Sequence, residues 1–136
     1  HALLWSSTPE SYIDLNPGSG GSMARGVSGN QQVGGWESSA TGGVYYAALW
    51  SGSAGSHVSL NPTGFSSLAI AASGGQQVGY AQRKISSKLW DKSHAFLWSC
   101  SAESYVDLHP PGFSTSGAND ISDGQQVGYA DAYAVL

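Results

Sequence analysis

Two pairs of carboxylates recur at one spacing and are the first candidates for chemistry. Glu10 and Asp14 lie four residues apart, and Glu103 and Asp107 repeat that spacing near the other end of the chain. Glycoside hydrolysis needs two such carboxyl groups on either side of the scissile bond. The middle of the chain has Gly and Ser at the matching positions. We therefore interpret these carboxylates as turn-stabilising or solvated, and a glycoside hydrolase as the least favoured function.

The histidines and the cysteine form the second group of candidates. His1 carries an amino terminus beside an imidazole, a donor pair that can chelate copper, but His94 begins a matching segment inside the chain. His57 and His109 show no metal-ligand spacing, and Cys100 is the only cysteine. No nucleophile elbow or phosphate-binding loop is present either. We predict no catalytic residue, no metal site and no cofactor, and hence no enzyme.

Two tryptophans outside the repeated positions are the strongest candidates for ligand contacts. Trp36 is followed by Glu37, and Trp90 by Asp91, and an aromatic face beside a polar side chain suits stacking on a sugar. For each indole taken alone, folding back onto its own blade is the favoured interpretation. The predicted ligand-binding residues are Trp36, Glu37, Arg83, Trp90, Asp91 and Tyr129.

The remaining motifs define an internal repeat of about 45 residues. A segment ending in Leu-Trp-Ser places its tryptophan at Trp5, Trp50 and Trp98. An Asn-Pro or His-Pro pair follows each time, and later Gln-Gln-Val-Gly at positions 31–34, 76–79 and 125–128. We predict one domain, 1–136, made of repeats 1–45, 46–93 and 94–136. The repeated tryptophans are predicted to be core, and the glutamines to tie neighbouring strands.

Each repeat predicts four short strands, because apolar runs alternate with clusters of Gly, Pro, Ser and Asn. In the third repeat the strands are expected at about 94–99, 104–109, 117–122 and 125–130. The first is apolar on both faces, which suits a strand covered on both sides. In the second, Val106 and Leu108 should form the buried face and Tyr105 and Asp107 the polar one.

This pattern predicts an all-β fold with β-propeller blades, each a four-stranded sheet. Three repeats are fewer than a propeller needs to close, so we expect a homodimer with six blades, which would also cover exposed strand edges. The alternative is a β-trefoil, in which three four-stranded repeats close one barrel in a monomer. Solution mass separates the two predictions.

Composition limits the partners. Only 10% of the residues are charged, the net charge is −4, and the five cations form no stripe that would neutralise phosphates. No run is long enough to span a bilayer, and no segment has the pattern of a signal peptide. We therefore expect no nucleic-acid partner and no membrane insertion. The first residue is His1 rather than Met, which fits a processed protein or a fragment of a longer one.

The motifs resemble a known repeat family. His94-Ala-Phe-Leu-Trp98 and Asp123-Gly-Gln-Gln-Val-Gly128 are similar to the bacterial HAF-type probable extracellular repeats, and the likeness covers all three repeats. The chain departs from it at Tyr46, which replaces the leading His, and at Gly35-Trp36, where the other repeats have Tyr-Ala. The resemblance implies an exported bacterial protein, extracellular or on the cell surface, and brings no catalytic residues.

Three functions follow, in order of preference. The first is a lectin-like, non-enzymatic module that binds carbohydrate or a surface polymer through loop aromatics. The second is a structural or adhesive repeat that assembles with other chains. The third is the glycoside hydrolase.

Overall fold

A computed structural model describes residues 1–40 and 42–131. They form an all-β structure of thirteen strands with three single-turn 3-10 helices and, within those ranges, no α-helix. The strands are β1 (Leu3–Leu4), β2 (Ile13–Asp14), β3 (Ser22–Ser28), β4 (Gln31–Trp36), β5 (Tyr46–Trp50), β6 (Val58–Ser59), β7 (Phe65–Ser73), β8 (Gln76–Ser86), β9 (Leu89–Trp90), β10 (His94–Trp98), β11 (Val106–Asp107), β12 (Thr115–Ser122) and β13 (Gln125–Asp131). The 3-10 turns span Pro9–Ser11, Ala54–Ser56 and Ala102–Ser104.

The four predicted strands of the third repeat are confirmed as β10 to β13. The second of them, β11, is shorter than predicted: it spans Val106–Asp107, and the turn Ala102–Ser104 takes the first predicted residue. Its predicted buried face is confirmed at Leu108, which packs against buried core residues and whose counterparts Leu15 and Leu60 are fully buried. It is wrong at Val106, which is 49% exposed. Apart from β10, no described element packs closely on β11, so the Val106 side chain stays in water.

The sheets do not coincide with the sequence repeats. One antiparallel sheet has the order β3-β4-β5-β6, and a second has the order β7-β8-β10-β11 with β9 added to the end of β8. Each therefore combines the third and fourth strands of one repeat with the first and second of the next. β1–β2 and β12–β13 form separate two-stranded sheets.

The sheets pack in sequence order and enclose three core layers. β1 packs on β3, β4 on β7, and β8 on β12. The first layer contains Ala2, Leu15, Ala48 and Trp50. The middle layer contains Val33, Ala47, Leu49, Leu60, Ala69, Ala81, Phe96 and Trp98. The third layer contains Val78, Ala95, Ala118 and Ile121.

The glycine of Gln-Gln-Val-Gly lies where two backbones approach most closely. A Cβ on Gly79 would lie 1.9 Å from the carbonyl oxygen of Leu68, and one on Gly34 would lie 1.9 Å from that of Met23. The facing strand has a β-bulge beside each contact, between Ala69 and Ala71 in the second sheet. Glycine is therefore required by the close approach, as its place in the repeat predicts.

Polar side chains of the repeat motifs join strands as predicted. Gln32 Oε1 accepts the backbone N–H of Gly52 at 2.8 Å, and Gln77 Oε1 accepts that of Cys100 at 2.8 Å. Asn61 Oδ1 accepts from the hydroxyl of the buried Ser67 at 2.5 Å. These hydrogen bonds satisfy buried polar groups that would otherwise destabilise the fold.

The repeated tryptophans differ in burial. Trp50 and Trp98 are fully buried, as predicted for core residues. Trp5 is 56% exposed, so the prediction is wrong for the first repeat. The reason is positional: Trp98 packs against the sheet that precedes its own in the stack, and no described sheet of this chain precedes β1–β2.

No helix in the described ranges is long and apolar enough to cross a membrane.

Candidate functional site

A groove of about 650 Å³ lies at the rim between the two large sheets. We define the aromatic groove by Trp36, Tyr46, Phe65, Lys84 and Trp90, which are part of its lining. It therefore brings together the two tryptophans that the sequence singled out. Its volume is within the range of small-molecule sites.

Trp36 enters the groove from the end of a strand rather than from a loop. It is the last residue of β4 and pairs with Tyr46 of β5. Its ring meets those of Tyr46 and His57 edge-on, with centroids 6.1 Å and 5.0 Å away. The equivalent residue on β8 is Ala81. The indole is half-buried, packed on the first layer and lining the groove.

Trp90 is placed by a hairpin that extends the second sheet. β8 has 11 residues where β4 has six, and β9 returns along it with Trp90 opposite Lys84. Lys84 Nζ lies 5.9 Å from the Trp90 ring centroid, and the backbone N–H of Lys84 donates to Gly64 O at 2.8 Å. The ammonium and the indole therefore reach the groove as one cation–π pair.

Arg83 and Asp91 lie beside the aromatic groove in a smaller pocket of about 170 Å³. The Arg83 guanidinium stands 5.4 Å over the ring of Phe65, which lines both cavities. His94 and Asp107 also line this pocket, joined by a 2.8 Å hydrogen bond. On the neighbouring sheet these two positions are Tyr46 and Ser59, which line the larger groove.

Two predicted site residues lie elsewhere. Glu37 follows Trp36, but it is outside the groove lining, and its backbone N–H donates to Gly21 O at 2.8 Å. Tyr129 is on β13 and lines a shallow groove over β12–β13. The structure thus groups Trp36 with Trp90 and Arg83 with Asp91, and separates Glu37 and Tyr129 from them.

The recurring aspartates stabilise their own turns and contact a histidine at or near the start of the paired strand. Asp14 Oδ1 accepts the backbone N–H of Asn16 at 2.8 Å, and its other oxygen lies 2.7 Å from His1 Nδ1. Asp107 repeats both contacts with His109 and His94. This arrangement is an Asx turn supported by a histidine, and it accounts for the recurrence of the aspartates. The described residues contain no group of three metal-binding side chains.

Sequence reasoning missed several residues of the groove, chiefly Tyr46, Phe65 and Lys84. Tyr46 and Phe65 come from different strands, and only the packing of the two sheets brings them together. A usable signal existed for Lys84, because four of the five cations lie in the ten residues 83–92. That local positive charge contrasts with the net charge of −4.

Burial lowers the pKa of His57 below 6.5, because the charged imidazolium is poorly solvated there. The His57 ring lies between those of Trp36 and Trp50, and its Nε2 is buried with no protein partner. A neutral His57 therefore supports the Trp36 indole from behind the groove.

No family model, curated protein or solved structure matches this chain.

Proposed function

We propose that this chain is a non-enzymatic module that binds carbohydrate or another surface polymer in the aromatic groove. The observation that carries the proposal is the convergence of Trp36 and Trp90, from different sheets, on one open cavity. We further propose that the sheets are blades of a β-propeller closed by a homodimer. The HAF-type resemblance adds an exported bacterial protein as the setting.

The aromatic rings and the charged side chain of the groove indicate which polysaccharides it should bind best. Indole faces stack on the apolar faces of sugar rings. Lys84 adds a positive charge to the groove, whereas in the neighbouring pocket Arg83 and Lys92 are balanced by Asp91 and Asp107. We therefore expect acidic polysaccharides, such as uronic-acid polymers, to bind more tightly than neutral glucans.

Binding to immobilised acidic and neutral polysaccharides tests the proposal. Trp90→Ala is expected to weaken binding about tenfold, since a lost stacking contact of about 1.4 kcal/mol has that effect. Leu89→Ala is the matched control, because Leu89 is the exposed neighbour on the same hairpin and does not line the groove. Lys84→Gln should weaken binding of the acidic polymer only, with Lys88→Gln as its control.

The result that contradicts the proposal is equally specific. Absence of binding to every glycan tested, or unchanged binding by Trp90→Ala and Trp36→Ala, overturns it. Far-UV circular dichroism of each variant shows whether a loss reflects the groove or the fold.

The structural or adhesive repeat is the second candidate function. The exposed apolar side chains of Val127 and Tyr129 on the terminal sheet favour it, because such a surface suits contact with another chain. It differs from the first function in requiring no glycan.

A further inference from the structure

The three core layers are not equally complete. The middle layer contains Val33, a motif valine from Gln-Gln-Val-Gly, and Trp98, one of the three repeated tryptophans. The first layer has its tryptophan, Trp50, but no motif valine among the described residues. The third layer has its valine, Val78, but no such tryptophan within the described ranges. Each outer layer thus lacks one residue that the middle layer shows to belong there.

The two missing residue types are present on the surface of the same chain. Val127, the valine of the last Gln-Gln-Val-Gly motif, is 63% exposed. Trp5, the repeated tryptophan of the first repeat, is 56% exposed. Val27 of β3 is a further match, 65% exposed, whereas its counterpart Ile121 is 5% exposed in the layer with Val78. Repeat positions that are buried elsewhere are therefore in water at both ends of the stack.

Backbone pairing between strands is also incomplete at both ends of the stack. β4 pairs with the first strand of the next repeat, β5, with Val33 opposite Leu49. β8 pairs with β10 in the same register, with Val78 opposite Leu97. β13 pairs with β12 alone among the described strands. The strand that matches β5 and β10 in sequence is β1, at the opposite end of the stack.

We propose that two copies of this chain assemble reciprocally, with β13 of each copy pairing antiparallel with β1 of the other and Val127 opposite Leu4. Trp5 then fills the third layer of the second copy, and Val127 packs on its Val27. Each chain contributes two complete sheets and two half sheets, β1–β2 and β12–β13. The half sheets of one copy join those of the other to form two more complete sheets, so the dimer contains six. The proposal rests on the homodimer of the proposed function and is independent of glycan binding. Strand addition of this kind satisfies open edges, and a two-fold axis makes both contacts alike.

A side-chain hydrogen bond supports the same register. In both complete sheets the second motif glutamine accepts a backbone N–H two residues after the tryptophan, from Gly52 or Cys100. Those residues have φ of 88° and 68°, and Ser7, two residues after Trp5, has φ of 75°. Ser7 therefore already has the backbone conformation that presents its N–H to Gln126 of a second copy.

Directed disulfide cross-linking tests the register. In a Cys100→Ser background, we expect a mixture of Val127→Cys and Leu4→Cys chains to form a disulfide-linked heterodimer under mild oxidation, twice the 14.0 kDa of one chain. Replacing Leu4→Cys by Leu3→Cys is the control, because neighbouring side chains of a strand point to opposite faces. Equal yields in both registers, or no cross-link in either, overturn the proposal.

Solution mass gives an independent readout. The unmodified chain is expected as a dimer, Val127→Asp as a folded monomer, and Val106→Asp, at an exposed site outside the interface, as a dimer. A monomeric wild-type chain overturns the proposal. If Val127→Asp is a monomer that still binds polysaccharide, assembly and glycan binding are separate properties. Failed cross-linking with retained glycan binding overturns this inference alone.

Discussion

Trp36 shows how one residue turns a repeat position into a site. Its counterpart Ala81 is 1% exposed and fills the middle layer without reaching the surface. Equivalent positions on successive sheets face successive layers, so Trp36 packs on the first layer, and its larger ring also extends to the groove. Tyr46 and Ser59 beside it occupy the positions of the His94 and Asp107 pair of the next sheet and line the groove.

His57 gives a prediction at the residue scale. Its pKa is lowered below 6.5 by burial, so below about pH 6.5 the unfolded chain binds a proton at His57 more readily than the folded chain does. The free energy of unfolding should therefore fall as the pH drops below 6.5 and recover above it.

Urea denaturation of wild type and His57→Phe at about pH 5.5 and 7.5 measures this effect. Phe keeps an aromatic ring between Trp36 and Trp50 but does not titrate. We expect the wild type to lose more stability than the variant at the lower pH. The same loss in both proteins would show that His57 does not titrate on unfolding in this range.

At the scale of elements, the β8–β9 hairpin and the motif glycines have opposite roles. The hairpin extends past the repeated part of the sheet and carries Lys84 and Trp90 to the groove. The glycines belong to the repeated part, where strand and bulge meet closely. The residues of the hairpin can therefore vary, whereas the position that faces the bulge accepts only glycine.

Gly79→Ala is expected to destabilise the chain by about 1–3 kcal/mol, the usual effect of overpacking. Its Cβ would lie 1.9 Å from backbone oxygen, which a rotamer change cannot relieve. Gly55→Ala is the control, because that glycine is exposed with nothing within 4 Å of a new Cβ, and we expect a change within about 0.5 kcal/mol. Chemical denaturation measures both, and equal effects would contradict the close-approach explanation.

At the scale of the whole molecule, burial of one repeat position depends on which neighbour covers it. Trp98→Ala should lower the free energy of unfolding by about 3–5 kcal/mol at every protein concentration, because a sheet of the same chain covers Trp98. Trp5→Ala should instead abolish the rise of wild-type stability with protein concentration, because a second copy covers Trp5. Thermal unfolding over a hundredfold range of concentration separates the two. A concentration-independent wild type would contradict the assembly.

The sequence predicted the strands and most of their motifs because these depend on local chemistry. Glycine and proline clusters end strands, and the repeat spacing locates β10 to β13 to within a few residues. Trp36 and Trp90 were found because they break the repeat. Tyr46 and Phe65 were not found, because the repeat gives no sign that their strands meet across two sheets.

The order of residue types is enough to predict an all-β chain, the places of its strands, and the residues that the repeats share. Three features are visible only in the packed sheets: the sheets cross the repeat boundaries, Trp5 is exposed while Trp50 and Trp98 are buried, and two tryptophans meet in one groove. The physical reason is that strand formation follows local patterns of residues. Burial, in contrast, depends on which sheet lies next in the stack, and equivalent residues at its ends lack the neighbour that covers them in its middle.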